Sequence, residues 1–253
     1  MTNDNEATET TDQAQKAAHE GRPERALVIV AHPDDADFGV AATVAKWVKL
    51  GTVARLVCCT SGDAGADDAT IDPLELAQRR EEEQRAAARV VGYEGVDYLH
   101  RPDGALQNDL ALREQLVRII RQFKPDAVLA MDPTVVIHER GFIQHTDHRE
   151  AGLAAVDAVY PAARNAMAFP HLVNDEGLEP HAVNILYLFF TDKADTWVDV
   201  SDTIDTKIAA LREHVSQLRK PEELEGSMRG WSAEAGKEIG AAAAEGFRYL
   251  DIG

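Results

Sequence analysis

Short apolar segments alternate with longer helix-like segments along most of the chain, and this alternation limits the possible folds more than any other feature. The segments at 26–31 (ALVIVA), 53–59 (VARLVCC) and 127–131 (AVLAM) have the length and apolar character of buried strands. Strands that alternate with helices at this spacing predict a mostly parallel sheet with helices on both faces. We therefore expect one Rossmann-like α/β domain.

The intervening segments carry helix signals at their ends. Gly51 and Gly92 follow two of them directly, as helix C-terminal glycines do, and Pro125 closes a third. Together these patterns predict helices over 39–50, 74–92, 110–124, 148–159, 201–218 and 233–245, and further strands over 96–99, 184–190 and 197–200.

Residues 1–24 contain no Val, Ile, Leu, Phe, Tyr or Trp. Such a segment cannot bury enough apolar surface to offset its chain entropy, so we expect a disordered acidic tail before a domain over 25–253. The tail has no signal-peptide pattern, and no apolar run is long enough for a membrane span. Cys58 and Cys59 are adjacent, which suits reduced thiols in a cytoplasmic protein.

The charge balance limits the partners. The chain has 26 Lys and Arg residues against 44 Asp and Glu residues, a formal net charge of -18. This charge repels phosphate backbones and anionic lipid surfaces, so we expect neither nucleic acid nor a membrane as partner.

An acidic cluster with one histidine follows the first predicted strand. His32, Asp34, Asp35 and Asp37 lie within six residues. Sites in parallel sheets form at the carboxyl ends of strands, and adjacent carboxylates repel one another unless a cation lies among them. Imidazole and carboxylate donors suit zinc, so the cluster indicates a metal site.

A second cluster, His145, Asp147 and His148, follows the strand at 127–131 and is expected at the same edge of the sheet. Two histidines and one carboxylate from the two clusters supply the three protein ligands of a catalytic zinc, and leave other groups for acid/base work. The chain has no G-x-G-x-x-G, phosphate-loop or G-x-S-x-G motif. These patterns favour a metal-dependent hydrolase.

At these motifs the sequence resembles the LmbE/PIG-L family of zinc-dependent de-N-acetylases. Family members deacetylate N-acetylglucosaminyl-phosphatidylinositol and precursors of mycothiol and bacillithiol. The resemblance rests on AHPDD with Gly39 after it, HTDH (145–148), TSGDAG (60–65), R-x-x-E (80–83), RPDGAL (101–106), PDAVLAMDP (125–133), EHVSQ (213–217) and EGFR (245–248).

The resemblance implies a role for each residue of the two clusters. His32, Asp35 and His148 would bind zinc, with ferrous iron as the alternative metal. Asp34 would be the general base, and His145 would stabilise the oxyanion or act as general acid. Asp147 would orient His145 and tune its charge.

The resemblance also implies substrate-binding positions and a substrate class. Asp63, Arg80 and Asp103 would surround the sugar of a small N-acylated amino sugar, and family members are commonly homo-oligomers. The residues alone leave simpler interpretations open: a turn residue at 63, an ion pair of Arg80 with Glu83, and a turn aspartate at 103. The chain departs from the usual AHPDDE by Ala36-Asp37, and from the frequent T-x-G-E by Asp63.

Three alternative functions use the same residues. An amidase acting on a larger thiol-glycoside conjugate would share the whole site. A non-catalytic metal- or sugar-binding protein would need no base, although Asp34 and His145 are both present. A non-haem iron oxygenase also uses two histidines and a carboxylate, but usually on an all-β fold.

Overall fold

Seven strands form one sheet in the computed structural model, which describes residues 16–253. The strands are β1 (Arg25–Val30), β2 (Val53–Thr60), β3 (Gly95–Arg101), β4 (Ala127–Met131), β5 (Ile185–Phe189), β6 (Thr196–Asp199) and β7 (Ala244–Asp251). Their order is β3-β2-β1-β4-β5-β7-β6, and β1 to β5 pair in parallel. β7 runs antiparallel to both of its neighbours, β5 and β6. The predicted mostly parallel α/β fold is confirmed.

The helices are α1 (Asp35–Gly39), α2 (Ala41–Lys49), α3 (Pro73–Val91), α4 (Leu110–Phe123), α5 (Thr146–Asp157, extended by a π-helical turn over Ala158–Ala162), α6 (Pro170–Asn174), α7 (Ile204–Leu211) and α8 (Pro221–Gly236). They contact one another in two groups. One contains α1, α2, α3, α7 and α8, and the other contains α4 and α5. Right-handed crossovers place such groups on opposite faces of the sheet. No helix in the range 16–253 is long and apolar enough to cross a membrane.

Two helix predictions near the C-terminus are wrong. The helix predicted over 201–218 ends at Leu211, and turns follow it to residue 218. The helix predicted over 233–245 lies earlier, over Pro221–Gly236, and the chain from Ala244 is β7. The alanine-rich run before β7 has high helix propensity. Pairing of β7 with both β5 and β6 overrides it, and buries Phe247 completely.

Residues 1–15 lie outside the described residues, so the predicted tail is seen only from Lys16 onward. There the chain lies against β5 and β6: the His19 backbone N–H donates to Trp197 O (2.7 Å), and His19 Nε2 lies 2.9 Å from the Tyr187 hydroxyl. The Lys16 ammonium stands over the Trp197 ring at 4.0 Å. These contacts differ from the unanchored segment that the composition predicts, and the domain boundary at 24/25 stays a prediction.

A buried ion pair joins α7 to β7. Lys207 Nζ lies 2.7 Å from Glu245 Oε1, and both side chains are at most 6% exposed. The other oxygen of Glu245 accepts the backbone N–H of Thr43, at the first turn of α2, at 2.8 Å. The Glu of the EGFR motif thus connects two helices to the last strand.

We expect Lys207→Met to lower the free energy of unfolding by about 3–5 kcal/mol, because it leaves the Glu245 carboxylate buried without its charge partner. Urea denaturation measures the loss. Lys220→Met removes a lysine from an exposed pair with Glu223 and should leave stability unchanged. Equal losses in the two variants would contradict the importance of burial.

Candidate metal and catalytic centre

The two histidine-containing clusters meet at the carboxyl edge of the sheet. They follow β1 and β4, which are adjacent parallel strands. The ring of His32 lies with its centroid 4.9 Å from that of His145 and 5.3 Å from that of His148. The backbone topology therefore brings these imidazoles together from positions more than a hundred residues apart.

Asp35 lies between two of these imidazoles. Its Oδ2 is 3.2 Å from His32 Nδ1, and its Oδ1 is 3.0 Å from His148 Nε2. Oδ2 also accepts the His32 backbone N–H at 2.7 Å, which fixes the carboxylate in the turn that opens α1. Burial raises the pKa of Asp35, but the charges of His148 and His32 outweigh burial and hold the pKa well below its usual range.

Other donor atoms around His32 also converge closely enough for a metal ion. Within residues 16–253, two trios have donor atoms within 4.8 Å of one another: His32, His145 and His148, and His32, Asp103 and Asp147. The predicted ligands His32, Asp35 and His148 are joined by the direct contacts of Asp35. Imidazole and carboxylate donors at these distances suit a divalent ion such as zinc or iron.

The far side of the His32 ring faces two more carboxylates. Its Nε2 lies 3.0 Å from Asp103 Oδ1 and 3.4 Å from Asp147 Oδ2. Burial lowers the pKa of His32, but these carboxylates and Asp35 outweigh burial and raise it to about 12. His32 thus presents Nδ1 to Asp35 while carboxylates hold Nε2, as carboxylate partners do for metal-binding histidines.

Asp103, a predicted substrate-binding residue, makes internal contacts in this structure. Besides its contact with His32, its Oδ2 accepts the Ala64 backbone N–H at 2.9 Å, and the side chain is only 6% exposed. The Asp103 carboxylate therefore lies on the Nε2 side of the His32 ring. It also links the loop after β3 to the loop after β2.

Asp147 contacts His145 through its backbone and not through its carboxylate. The Asp147 N–H donates to His145 Nδ1 at 3.1 Å, while the carboxylate accepts the backbone N–H groups of Gly104 (2.7 Å) and Leu106 (3.3 Å). Asp147 thus contacts His145 through its backbone N–H, and its role in orienting His145 and tuning its charge stays a prediction. Burial, together with the charges of His32 and His148, lowers the pKa of His145.

Asp34 lies beside the histidine cluster but faces a different partner from Asp35. Its Oδ2 is 3.4 Å from Arg80 Nη2, and its side chain is 15% exposed. Burial and the charge of Asp35 raise the pKa of Asp34 to about 6, although Arg80 and His214 act in the opposite direction.

Arg80 is buried and anchors two loops. Its Nη1 donates to Gly62 O (3.0 Å) and its Nη2 to Pro33 O (2.7 Å). A Cβ at Gly62 would stand 2.3 Å from the guanidinium, so glycine leaves the space that Arg80 fills. The alternative pair with Glu83 is wrong, because Glu83 accepts from Ser216 instead.

Asp63 is partly exposed in the loop after β2. Of the three predicted substrate-binding residues, Arg80 and Asp103 make the internal contacts described above, and Asp63 makes none of them within residues 16–253.

Gln84 is a buried residue of the site for which the sequence predicts no role. Its side chain is fully buried, accepts the Asp34 backbone N–H at 2.8 Å and donates to Asp37 at 2.8 Å. The available signal is its spacing: Arg80 and Gln84 are four residues apart and share one face of α3. Asp37 and His214, 2.8 Å apart, complete the same buried group.

Comparisons with known proteins agree with this architecture. Residues 27–159 match the family model described as PIG-L, GlcNAc-PI de-N-acetylase. The diacetylchitobiose deacetylase of Thermococcus kodakarensis is 31% identical over 230 residues, which cover 89% of this chain and 83% of that protein. The 1D-myo-inositol 2-acetamido-2-deoxy-alpha-D-glucopyranoside deacetylase of Mycobacterium sp. (strain KMS) is 27% identical over 234 residues, 77% of this chain and 74% of that protein.

Among solved structures, the inhibitor complex of N,N'-diacetylchitobiose deacetylase from Pyrococcus horikoshii superposes with a TM-score of 0.82 and 31% identity. The match covers 90% of this chain and 84% of that one. The family match spans more than half of the chain, and the similarity to the Thermococcus protein extends over most of the rest. This chain therefore belongs to the PIG-L family.

Proposed function

We propose that this protein is a zinc-dependent de-N-acetylase that hydrolyses the acetamide of a small N-acetylated amino sugar. The observation that carries the proposal is the placement of Asp35 between His32 and His148, with Asp34 and His145 beside them. The two relatives named above are deacetylases of acetylated sugars, which supports the same substrate class here.

In this proposal His32 Nδ1, one oxygen of Asp35 and His148 Nε2 bind the metal. His32 Nδ1 lies 3.2 Å from Oδ2 of the Asp35 carboxylate, and His148 Nε2 lies 3.0 Å from its Oδ1. When bound, zinc supplies a Lewis acid that lowers the pKa of a water from 15.7 to about 7. Asp103 and Asp147 stabilise His32 through contacts with its other ring nitrogen, Nε2.

Asp34 is the proposed general base. It directly precedes Asp35 in the chain, and its carboxylate lies toward Arg80 and uses none of the proposed ligand positions. Arg80 limits its movement through Asp34 Oδ2 and through the neighbouring Pro33 carbonyl. Asp34 takes the proton of the attacking water at a carboxylate oxygen.

His145 is the proposed donor to the carbonyl oxygen of the substrate. Its Nδ1 accepts the Asp147 backbone N–H, so the proton of the neutral ring is on Nε2. An Nε2–H directed at the developing oxyanion contributes roughly 3–4 kcal/mol of transition-state stabilisation. The leaving amine then takes a proton from Asp34 or His145.

Asp63 remains the proposed substrate contact, because it is partly exposed at the same edge. Arg80 and Asp103 act indirectly, through the loops and through His32. A cytoplasmic location and a homo-oligomeric state also remain proposals.

The proposal is tested with purified, zinc-loaded protein and a panel of N-acetylated amino sugars and thiol glycosides, with release of free amine as the readout. We expect turnover of at least one N-acetylglucosamine derivative, and its loss on treatment with a chelator. Metal uptake without amine release from any member of the panel would favour a binding protein.

A further inference from the structure

Asp34 has a backbone conformation that residues with a Cβ rarely adopt. Its φ is 93°, in the left-handed region, where L-residues other than glycine are sterically disfavoured. The next residue, Asp35, begins α1 with its carboxylate toward His32 and His148, while that of Asp34 lies toward Arg80. The unusual φ thus separates two adjacent carboxylates. Because this conformation is sterically disfavoured, other contacts must stabilise it.

Gln84 contacts the backbone at this residue. Its Oε1 accepts the Asp34 N–H at 2.8 Å, and its side chain reaches there from the buried face of α3. One turn earlier on the same helix, Arg80 Nη2 donates to the carbonyl of Pro33 at 2.7 Å. The two side chains therefore hold the backbone on either side of the left-handed residue.

Asp37 helps to fix the orientation of the Gln84 amide. Asp37 Oδ2 is 2.8 Å from Gln84 Nε2 and 2.8 Å from His214 Nε2, and all three side chains are at most 1% exposed. The Asp34 backbone N–H can only donate, so Gln84 must present its carbonyl to Asp34 and its NH₂ to Asp37 Oδ2. His214 donates to the same oxygen and completes the arrangement.

We infer that Gln84 is a positioning residue for Asp34, oriented by Asp37 and His214. The inference rests on the proposed function, in which Asp34 is the base. It requires no contact of Gln84 with substrate or metal. The acid that this arrangement uses, Asp37, follows Ala36, which stands where AHPDDE has Glu.

The first test is Gln84→Met, which keeps the side-chain length and removes both hydrogen bonds. We expect kcat to fall about 10²-fold, since a displaced base costs about that much. KM and the metal content should stay unchanged, because His32, Asp35 and His148 keep their contacts. In protein labelled with ¹⁵N-aspartate, the Asp34 amide should exchange with solvent at least about tenfold faster.

Thr52→Val is the matched control. Thr52 is buried and its hydroxyl donates to the Pro23 carbonyl at 2.6 Å, just before β2 and thus at the opposite edge of the sheet. The variant also loses one buried hydrogen bond to the backbone, so the melting temperature should fall as it does in Gln84→Met. Its kcat and the exchange of the Asp34 amide should remain those of the unaltered protein.

A reversed pair separates orientation from simple packing. Gln84→Glu alone places two carboxylates in contact and should lower kcat strongly. Adding Asp37→Asn supplies an NH₂ that donates to the carboxylate introduced at position 84, and His214 can donate to the remaining amide oxygen. The double variant should recover most of the kcat that Gln84→Glu loses.

Two results would overturn the inference: a Gln84→Met enzyme with kcat within about twofold of the unaltered protein, or a reversed pair no better than Gln84→Glu. If the unaltered protein hydrolyses nothing in the substrate panel, the proposed function fails on its own. Amide exchange at Asp34 still tests the contact with Gln84 in that case, and unchanged exchange in Gln84→Met would refute it.

Discussion

Asp34→Asn is expected to lower kcat by about 10²–10⁴-fold, the usual contribution of a general base, while the protein keeps its metal. Asparagine preserves the shape of the side chain and can still accept from Arg80, 3.4 Å away. It cannot take a proton from water. Steady-state amine release measures the loss, and elemental analysis of the same sample measures the metal.

Asp126→Asn is a suitable control for this substitution. The Asp126 carboxylate accepts the Arg25 backbone N–H at 2.8 Å at the start of β1, the opposite end of the strand from Asp34. Asparagine can accept the same bond, so kcat should not change. Near-normal turnover of Asp34→Asn across the pH range would show that the base is another group.

The parallel part of the fold could be predicted because the apolar composition of each strand there identifies it without knowledge of its partners. β1, β2 and β4 are apolar apart from Arg25, Arg55 and Thr60, and their observed bounds differ from the predicted ones by at most one residue. A parallel strand buried on both faces needs this composition wherever it pairs.

The antiparallel strand β7 could not be predicted in the same way. Its sequence, AEGFRYLD, follows an alanine-rich run and contains Gly246 and charged residues. Its strand conformation depends on pairing with β5 and β6, whose nearest residues in sequence lie more than forty positions earlier. Local propensity carries no information about such a partner.

For the candidate site, the positions of the residues could be predicted from the sequence, but the orientations of their side chains could not. His32, Asp35, His145 and His148 were predicted to lie at one edge of the sheet because they follow the carboxyl ends of predicted strands. The structure brings them together because the two strands, β1 and β4, are adjacent. The orientation of individual side chains was not predictable, since it depends on contacts between loops. Asp103 turns toward His32, and the Asp147 carboxylate toward backbone N–H groups, for this reason.

Asp35→Ala is expected to lower metal affinity by at least about 100-fold, more than the loss of an outer carboxylate partner usually costs. Asp35 is the group that contacts both His32 and His148, so its removal leaves two imidazoles without the oxygen between them. Competition with a chromogenic chelator measures the affinity, and circular dichroism checks that the variant is folded.

Activity should disappear in Asp35→Ala as a consequence of metal loss, which distinguishes it from Asp34→Asn. Raising the free zinc concentration should therefore restore part of the turnover of Asp35→Ala and none of that of Asp34→Asn. The opposite pattern, with metal retained by Asp35→Ala and lost by Asp34→Asn, would exchange the roles of the two residues. Their different contacts, one with two imidazoles and the other with a guanidinium, are the reason we expect the stated order.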